Sequence, residues 1–300
     1  MITNRLHWFR FTFAFALLLV LPVAAQTPRA ATTTHHSLWK VEGKRNTVYL
    51  MGSVHVLKAE NYPLPAVLDG AYTNSQIVVF ETDIDEMEKP EAQMKLLTKA
   101  QLPEGKTLAD EISSELYEQF TKHLQAAGLA PMMFTKFKPS MAALTLVVLE
   151  LNKNGLDPEY GLDKHFHALA KTAGKKIIGL ETVDFQIGLV TEFTKVEGEA
   201  LLRSTLKDME KLKDDIGVML KAWEAGNSES LEKLLNESVE EEPALFKRLL
   251  TDRNERWVPK IEEFCKDEQN VVVIVGAAHL IGKQGVVELL KKKGLKVMQL

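Results

Sequence analysis

Val271-Val272-Val273-Ile274-Val275-Gly276-Ala277-Ala278-His279 decides how this chain is read. An unbroken β-branched run with no polar alternation is the pattern of a strand covered on both faces. It delivers a histidine just past its end. A matching stretch lies near the other end of the sequence, where Thr47-Val48-Tyr49-Leu50-Met51 leads into Gly52-Ser53-Val54-His55. A sheet can bring two such strand ends together. His55 and His279 are therefore candidate metal ligands or an acid–base pair.

Two further runs repeat the plan with carboxylates. Gln76 to Phe80 leads to Glu81, and Lys176 to Leu180 leads to Glu181. Ligands of α/β sheets bind at the carboxyl ends of the strands, and buried charge is costly unless paired or metal-bound. Two imidazoles with one or two carboxylates suit a first-row divalent ion. Such an ion lowers the pKa of a bound water and polarises a carbonyl, and a carboxylate outside the ligand set can act as general base. Gly52 and Gly276 are expected to let the backbone turn sharply as it leaves each strand. Glu181 also stands at a strand-to-helix junction, where an acid favours the helix N-terminus.

The order of elements points to an α/β (α+β-like) fold: a central mixed β-sheet whose strand ends carry the site, with a large helical insertion or cap. Ser37 to Val41 and Thr47 to Met51 flank turn residues 42–46 and read as a hairpin. Helical patterns fill Ile84 to Gly174 and residues 183–265, including a long amphipathic stretch from Glu199 to Ala225. The sheet returns with Val271 to Val275, a helix from Gly282 to Lys293 and a last strand from Leu295 to Gln299. Met141 to Leu149 is apolar except for Thr145. It is too short to span a membrane, which leaves a buried helix or a groove for a partner.

Residues 1–25 read as a secretory signal peptide: Arg5 and Arg10, an apolar stretch from Phe11 to Leu21, then small residues with cleavage expected after Ala25. A retained anchor is the competing reading. Cleavage would take the net charge from −4 to −6. Residues 26–36 read as a flexible N-terminus with His35 and His36 in solvent, and one domain is expected over 37–300. Periplasmic or secreted location follows, with no stable membrane span after cleavage.

Hydrophobic content of 45% and charge of 26% allow a sizeable core in 300 residues. The acidic balance argues against nucleic acid as a partner, and Lys291-Lys292-Lys293 reads as the solvated end of a helix. Cys265 is the sole cysteine, which excludes an internal disulfide and a cysteine zinc site. No Gly-x-Ser-x-Gly elbow and no phosphate-binding Gly-Lys-Ser/Thr loop is present, and Ser53 reads as a packing residue. Asp163 opens a helix in which His167 shares its face; Asp163 either orients a ligand histidine or favours the helix start. Arg253 either reaches the site to bind a carboxylate or oxyanion or forms a surface ion pair. Arg256, His165 and His123 read as surface residues.

At these residues the chain resembles the TraB/PrgY/GumN family, related to the Tiki-type metalloproteases. The resemblance rests on Leu50-Met51-Gly52-Ser53-Val54-His55, Phe80-Glu81, and Gly161-Leu162-Asp163 with Phe166. It continues through Gly179-Leu180-Glu181-Thr182 with Gln186, Arg253-Asn254-Glu255-Arg256-Trp257, and Val275-Gly276-Ala277-Ala278-His279. It implies a site built from His55, Glu81 and His279, dependence on a divalent metal (manganese or cobalt, with zinc or iron as alternatives) and, in the Tiki branch, hydrolysis of a peptide or protein substrate. Related architectures include haem- or iron-handling proteins and esterases. The expectation is an exported metal-dependent hydrolase supported by Asp163, Glu181 and Arg253. Its rivals are a non-catalytic periplasmic binding protein for a peptide, metal or haem, and an interaction protein that exposes residues 141–149.

Overall fold

The structure, a computed structural model, describes residues 35–209 and 212–300. The signal peptide expected over 1–25 and most of the flexible segment expected over 26–36 lie outside the described residues. At the edge of that segment, the His36 N–H donates to Leu300 O at 2.6 Å.

Six strands form one mixed sheet: β1 (Leu38–Glu42), β2 (Thr47–Ser53), β3 (Ile77–Phe80), β4 (Lys176–Gly179), β5 (Val271–Gly276) and β6 (Val297–Gln299), in the order β4-β3-β5-β2-β1-β6. β1 and β2 are the expected hairpin, with Glu42 opposite Thr47. β6 closes the other side of β1, also antiparallel. β5 lies between β2 and β3 and is parallel to both, and β3 is parallel to β4. Every residue of β3, and every residue of β5 before Gly276, is buried. That is the burial expected of strands covered on both faces.

Register fixes what the sheet presents. Met51 and Phe80 both pair with Ile274, and Phe80 pairs with Gly179. The four parallel strands therefore end level, and His55, Glu81, Glu181 and His279 leave the same edge. The chain segments 81–175 and 180–270 depart from that edge too, which puts the helical insertion on the side of the site. The helices Ala66–Thr73, Leu162–Thr172, Asp252–Phe264 and Val286–Lys292 pack on the sheet through Leu68, Phe166, Trp257 and Leu290.

The insertion has apolar clusters of its own. Ser114–Ala126, Pro139–Lys153 and Lys195–Asp208 meet through Leu116, Phe120, Ala142, Leu146 and Leu202. Met141, Ala142, Ala143, Leu146 and Val147 are buried there while Leu144, Thr145, Val148 and Leu149 are half-buried, so the 141–149 run is a helix packed into the insertion and not an exposed surface. The long stretch expected over 199–225 is two helices among the described residues, Lys195–Asp208 and Leu212–Glu224. No helix among the described residues is long and apolar enough to cross a membrane.

Candidate functional site

Asp163 positions His55. The helix Leu162–Thr172 starts against the loop after β2, where Leu162 N donates to Val54 O at 3.1 Å. Only glycine allows that approach: a Cβ on Gly161 would stand 2.2 Å from His55 O. Asp163 then accepts from His55 Nδ1 through Oδ2 at 2.7 Å and from Ser53 Oγ through Oδ1 at 3.0 Å. The His55 Nε2 faces Glu81 Oε1 at 3.9 Å. Burial pulls the imidazole down, but the carboxylates of Asp163 and Glu81 outweigh it and push its pKa up to about 9.

Asn254 positions His279 in the opposite protonation state. Asn254 Nδ2 donates to Gln284 O at 2.9 Å, which turns its Oδ1 toward His279 Nδ1 at 2.6 Å. Nδ1 therefore carries the proton, and Nε2 accepts from Arg253 NH1 at 2.9 Å. Burial and the Arg253 charge bring this imidazole down to about 3. The Trp257 ring lies over it, with centroids 4.3 Å apart. The His279 Nε2 is also 3.9 Å from Glu81 Oε1. The two histidines thus approach one carboxylate oxygen equally, one favouring the charged form and the other neutral.

Arg253, only 2% exposed, holds the carboxylates. Its NH2 donates to Glu81 Oε2 at 2.5 Å and Glu181 Oε2 at 2.8 Å, and its Nε donates to Glu181 Oε1 at 3.0 Å. Trp257 Nε1 and Gln186 Nε2 complete the shell of Glu181 at 3.0 and 2.6 Å. Burial pushes Glu81 up, yet Arg253, both histidines and the N–H of Gly276 hold it well below the usual carboxylate range. Glu181 is not the helix cap; Thr182 fills that place and accepts from Phe185 N.

Gly276 lies at the centre. A Cβ there would point among the functional atoms, 3.2 Å from His55 Nε2, 3.4 Å from Glu81 Oε1 and 3.6 Å from His279 Cδ2. The sharp turn expected at Gly52 and Gly276 is corrected: neither has a positive φ. Both are glycines because of close approach, Gly52 to Ala277 and Gly276 to the site itself. The space a Cβ would fill is a cradle for a small ligand. Among the described residues no group of three or more His, Cys, Asp or Glu side chains is arranged to hold a metal ion, although each imidazole is oriented through Nδ1 by an oxygen acceptor and turns Nε2 toward Glu81. His279 spends its Nε2 on Arg253, so it joins a ligand set only in exchange for that hydrogen bond.

All six polar residues singled out from sequence meet here. His167 does not: it is buried against the Phe80 ring, its Nε2 without a hydrogen-bond partner. His165 packs at a tilt against Tyr62, and Arg256 lies over Phe185. Cys265 is buried and its thiol is pushed up to about 11, unsuited to a nucleophile. Sequence reasoning missed Asn254, Trp257 and the link from Ser53 to Asp163. Arg253 and Trp257 share a helix face, which was the available signal.

The family model for the TraB/PrgY/gumN family matches residues 37–299. The chain belongs to the TraB/PrgY/gumN family. Among curated proteins it is similar to "Uncharacterized protein YbaP" of Shigella flexneri and of Escherichia coli (strain K12). Each is 26% identical over 267 residues, covering 87% of this chain and 96% of the relative. No solved structure matches the chain.

Proposed function

We propose that the protein is an exported, metal-dependent hydrolase, a peptidase of Tiki-like type. The observation that carries this is the Gly276 cradle, bounded by His55 Nε2, Glu81 Oε1 and the His279 ring, and opening on groups with opposed proton preferences. Pairs of titratable groups driven apart by their surroundings mark acid–base roles.

The work of each residue follows from its contacts. Asp163 fixes the His55 ring through Nδ1 and leaves Nε2 facing the cradle. Glu81 stays ionised and holds the hydrogens of a water through Oε1, while Arg253 and the Gly276 N–H stop it swinging away. His279 remains neutral under Trp257, and Asn254 sets its ring. Arg253 is committed to Glu81, Glu181 and His279 and holds these groups in place. His55, Glu81 and His279 would hold a divalent ion only once His55 gives up its Nε2 proton and His279 its bond to Arg253; manganese or cobalt, in preference to zinc or iron, would when bound activate the water and polarise the scissile carbonyl.

Metal removal and His55→Ala should each abolish cleavage of a peptide library while the fold survives. Cleavage that persists in both sinks the metallopeptidase reading. Capture of a peptide or haem without product would favour the non-catalytic binding protein instead. Export belongs to the same proposal, and N-terminal sequencing of the mature protein tests it, with Gln26 expected first.

A further inference from the structure

A cavity opens beside the cradle and shares His55 and Glu81 with it. It encloses about 790 Å³ of empty space, counting the part open to solvent, and His55, Glu81 and Asp163 form its polar end. Away from that end its walls are Phe80, Met87, Leu96, Ile187 and Val190, all buried in the cap or at the end of β3. Ile84 lies on the wall at intermediate exposure. Lys164, the cation on the lining, is already held by Glu88 at 3.1 Å and Glu159 at 2.6 Å. The carboxylates of Glu81 and Asp163 at the polar end, with Glu88 also on the lining, repel an acidic group, and the apolar walls suit an uncharged one.

A second observation points to an occupant. The Thr82 Oγ1 is buried and has no hydrogen-bond partner, and Thr82 lines this cavity next to Glu81. A buried hydroxyl without a partner is rare, and each case calls for an explanation such as a ligand. An amide group lying along the end of β3 would supply one once the Thr82 side chain turns its hydroxyl into the cavity.

We propose that this cavity is the specificity pocket of the site and takes a neutral apolar side chain, branched aliphatic or aromatic, of an amide substrate whose backbone bonds Thr82. The assignment rests on the hydrolase reading for its use, though not for its binding. Its lining has the make-up of ligand pockets, which are mainly apolar with a few polar groups that fix orientation. Gln186 joins it to the buried charges, since it lines the cavity and donates to Glu181.

Titration calorimetry with N-acetylphenylalanine amide and N-acetylaspartate amide tests the pocket on wild type, Ile84→Trp and Thr82→Val, each checked by thermal unfolding. The phenylalanine amide should bind at least about tenfold tighter than the aspartate amide, the usual worth of one well-buried apolar group. Ile84→Trp should fill the pocket and erase that preference. Thr82→Val, nearly isosteric and safe for the fold, should weaken both amides several-fold. Equal binding of the two amides to wild type, or unchanged binding in both variants, overturns the proposal. A peptide-cleavage screen separates the two claims. Cleavage indifferent to apolar residues overturns the pocket and leaves hydrolysis standing. Selective binding without cleavage supports the pocket and removes hydrolysis.

Discussion

Replacing Asp163 by Asn tests the charge that tunes His55. The carboxylate bonds Nδ1 at 2.7 Å and heads the influences that raise the imidazole to about 9 from its ordinary 6.5. A shift of that size corresponds to a ceiling of about 3 kcal/mol of folding free energy, at about 1.4 kcal/mol per pKa unit. The His55 side chain is 19% exposed, and solvent screening trims the figure to about 2 kcal/mol. The sign follows from linkage. A pKa raised in the folded state contributes fully below the unfolded value of 6.5, and the contribution disappears as pH rises through 9. Asn keeps an acceptor for Nδ1 and a partner for Ser53, so only the charge is lost. Urea unfolding of chelator-treated protein should show Asp163→Asn less stable by about 2 kcal/mol near pH 6 and by under about 0.5 kcal/mol near pH 10. A destabilisation independent of pH would refute the reasoning, and so would a His55 that still titrates near 9 by NMR in the variant.

The same geometry makes three more predictions. Gly276→Ala places a methyl 3.2 Å from His55 Nε2; metal uptake measured by calorimetry and hydrolysis should both fall at least about tenfold, with unfolding changed by no more than about 2 kcal/mol. Arg253→Met leaves Glu81 and Glu181 buried without their shared cation and should cost about 3–5 kcal/mol in denaturant unfolding, part of which Glu181→Gln restores in the double variant. His279 is depressed to about 3 and Glu81 lies below the usual range. Stability of the chelated protein should therefore fall as pH drops from 6.5 toward 3, and His279→Gln should flatten the limb between about pH 6 and 4.

The sheet and the four strand-end residues were legible because parallel strands buried on both faces have a distinctive composition. Val271 to Val275 and Ile77 to Phe80 could hardly be read otherwise, and each hands its charge to the same edge. Arg253 was legible as a candidate, but its partners were not. Its bonds to Glu81 and Glu181 cross long sequence separations that local pattern does not encode. Asn254 reads as an ordinary polar helix residue until the Gln284 carbonyl turns its oxygen toward His279. The π turn at Lys247–Thr251, which precedes Arg253 and offers Leu249 O to its NH1, has no sequence signature of its own. The glycines were noticed for the wrong physical reason. Gly276 serves by what its missing side chain leaves open, and that depends on where His55 and Glu81 arrive from elsewhere in the chain.

Cleavage of a peptide library by metal-loaded wild type and by Glu81→Gln, with both shown to be folded, tests the central claim most directly. Gln keeps the shape of the residue and removes the charge shared by His55, His279 and Arg253. The account predicts products from wild type and a loss of at least about a hundredfold in the variant. Equal cleavage by the two proteins would contradict it.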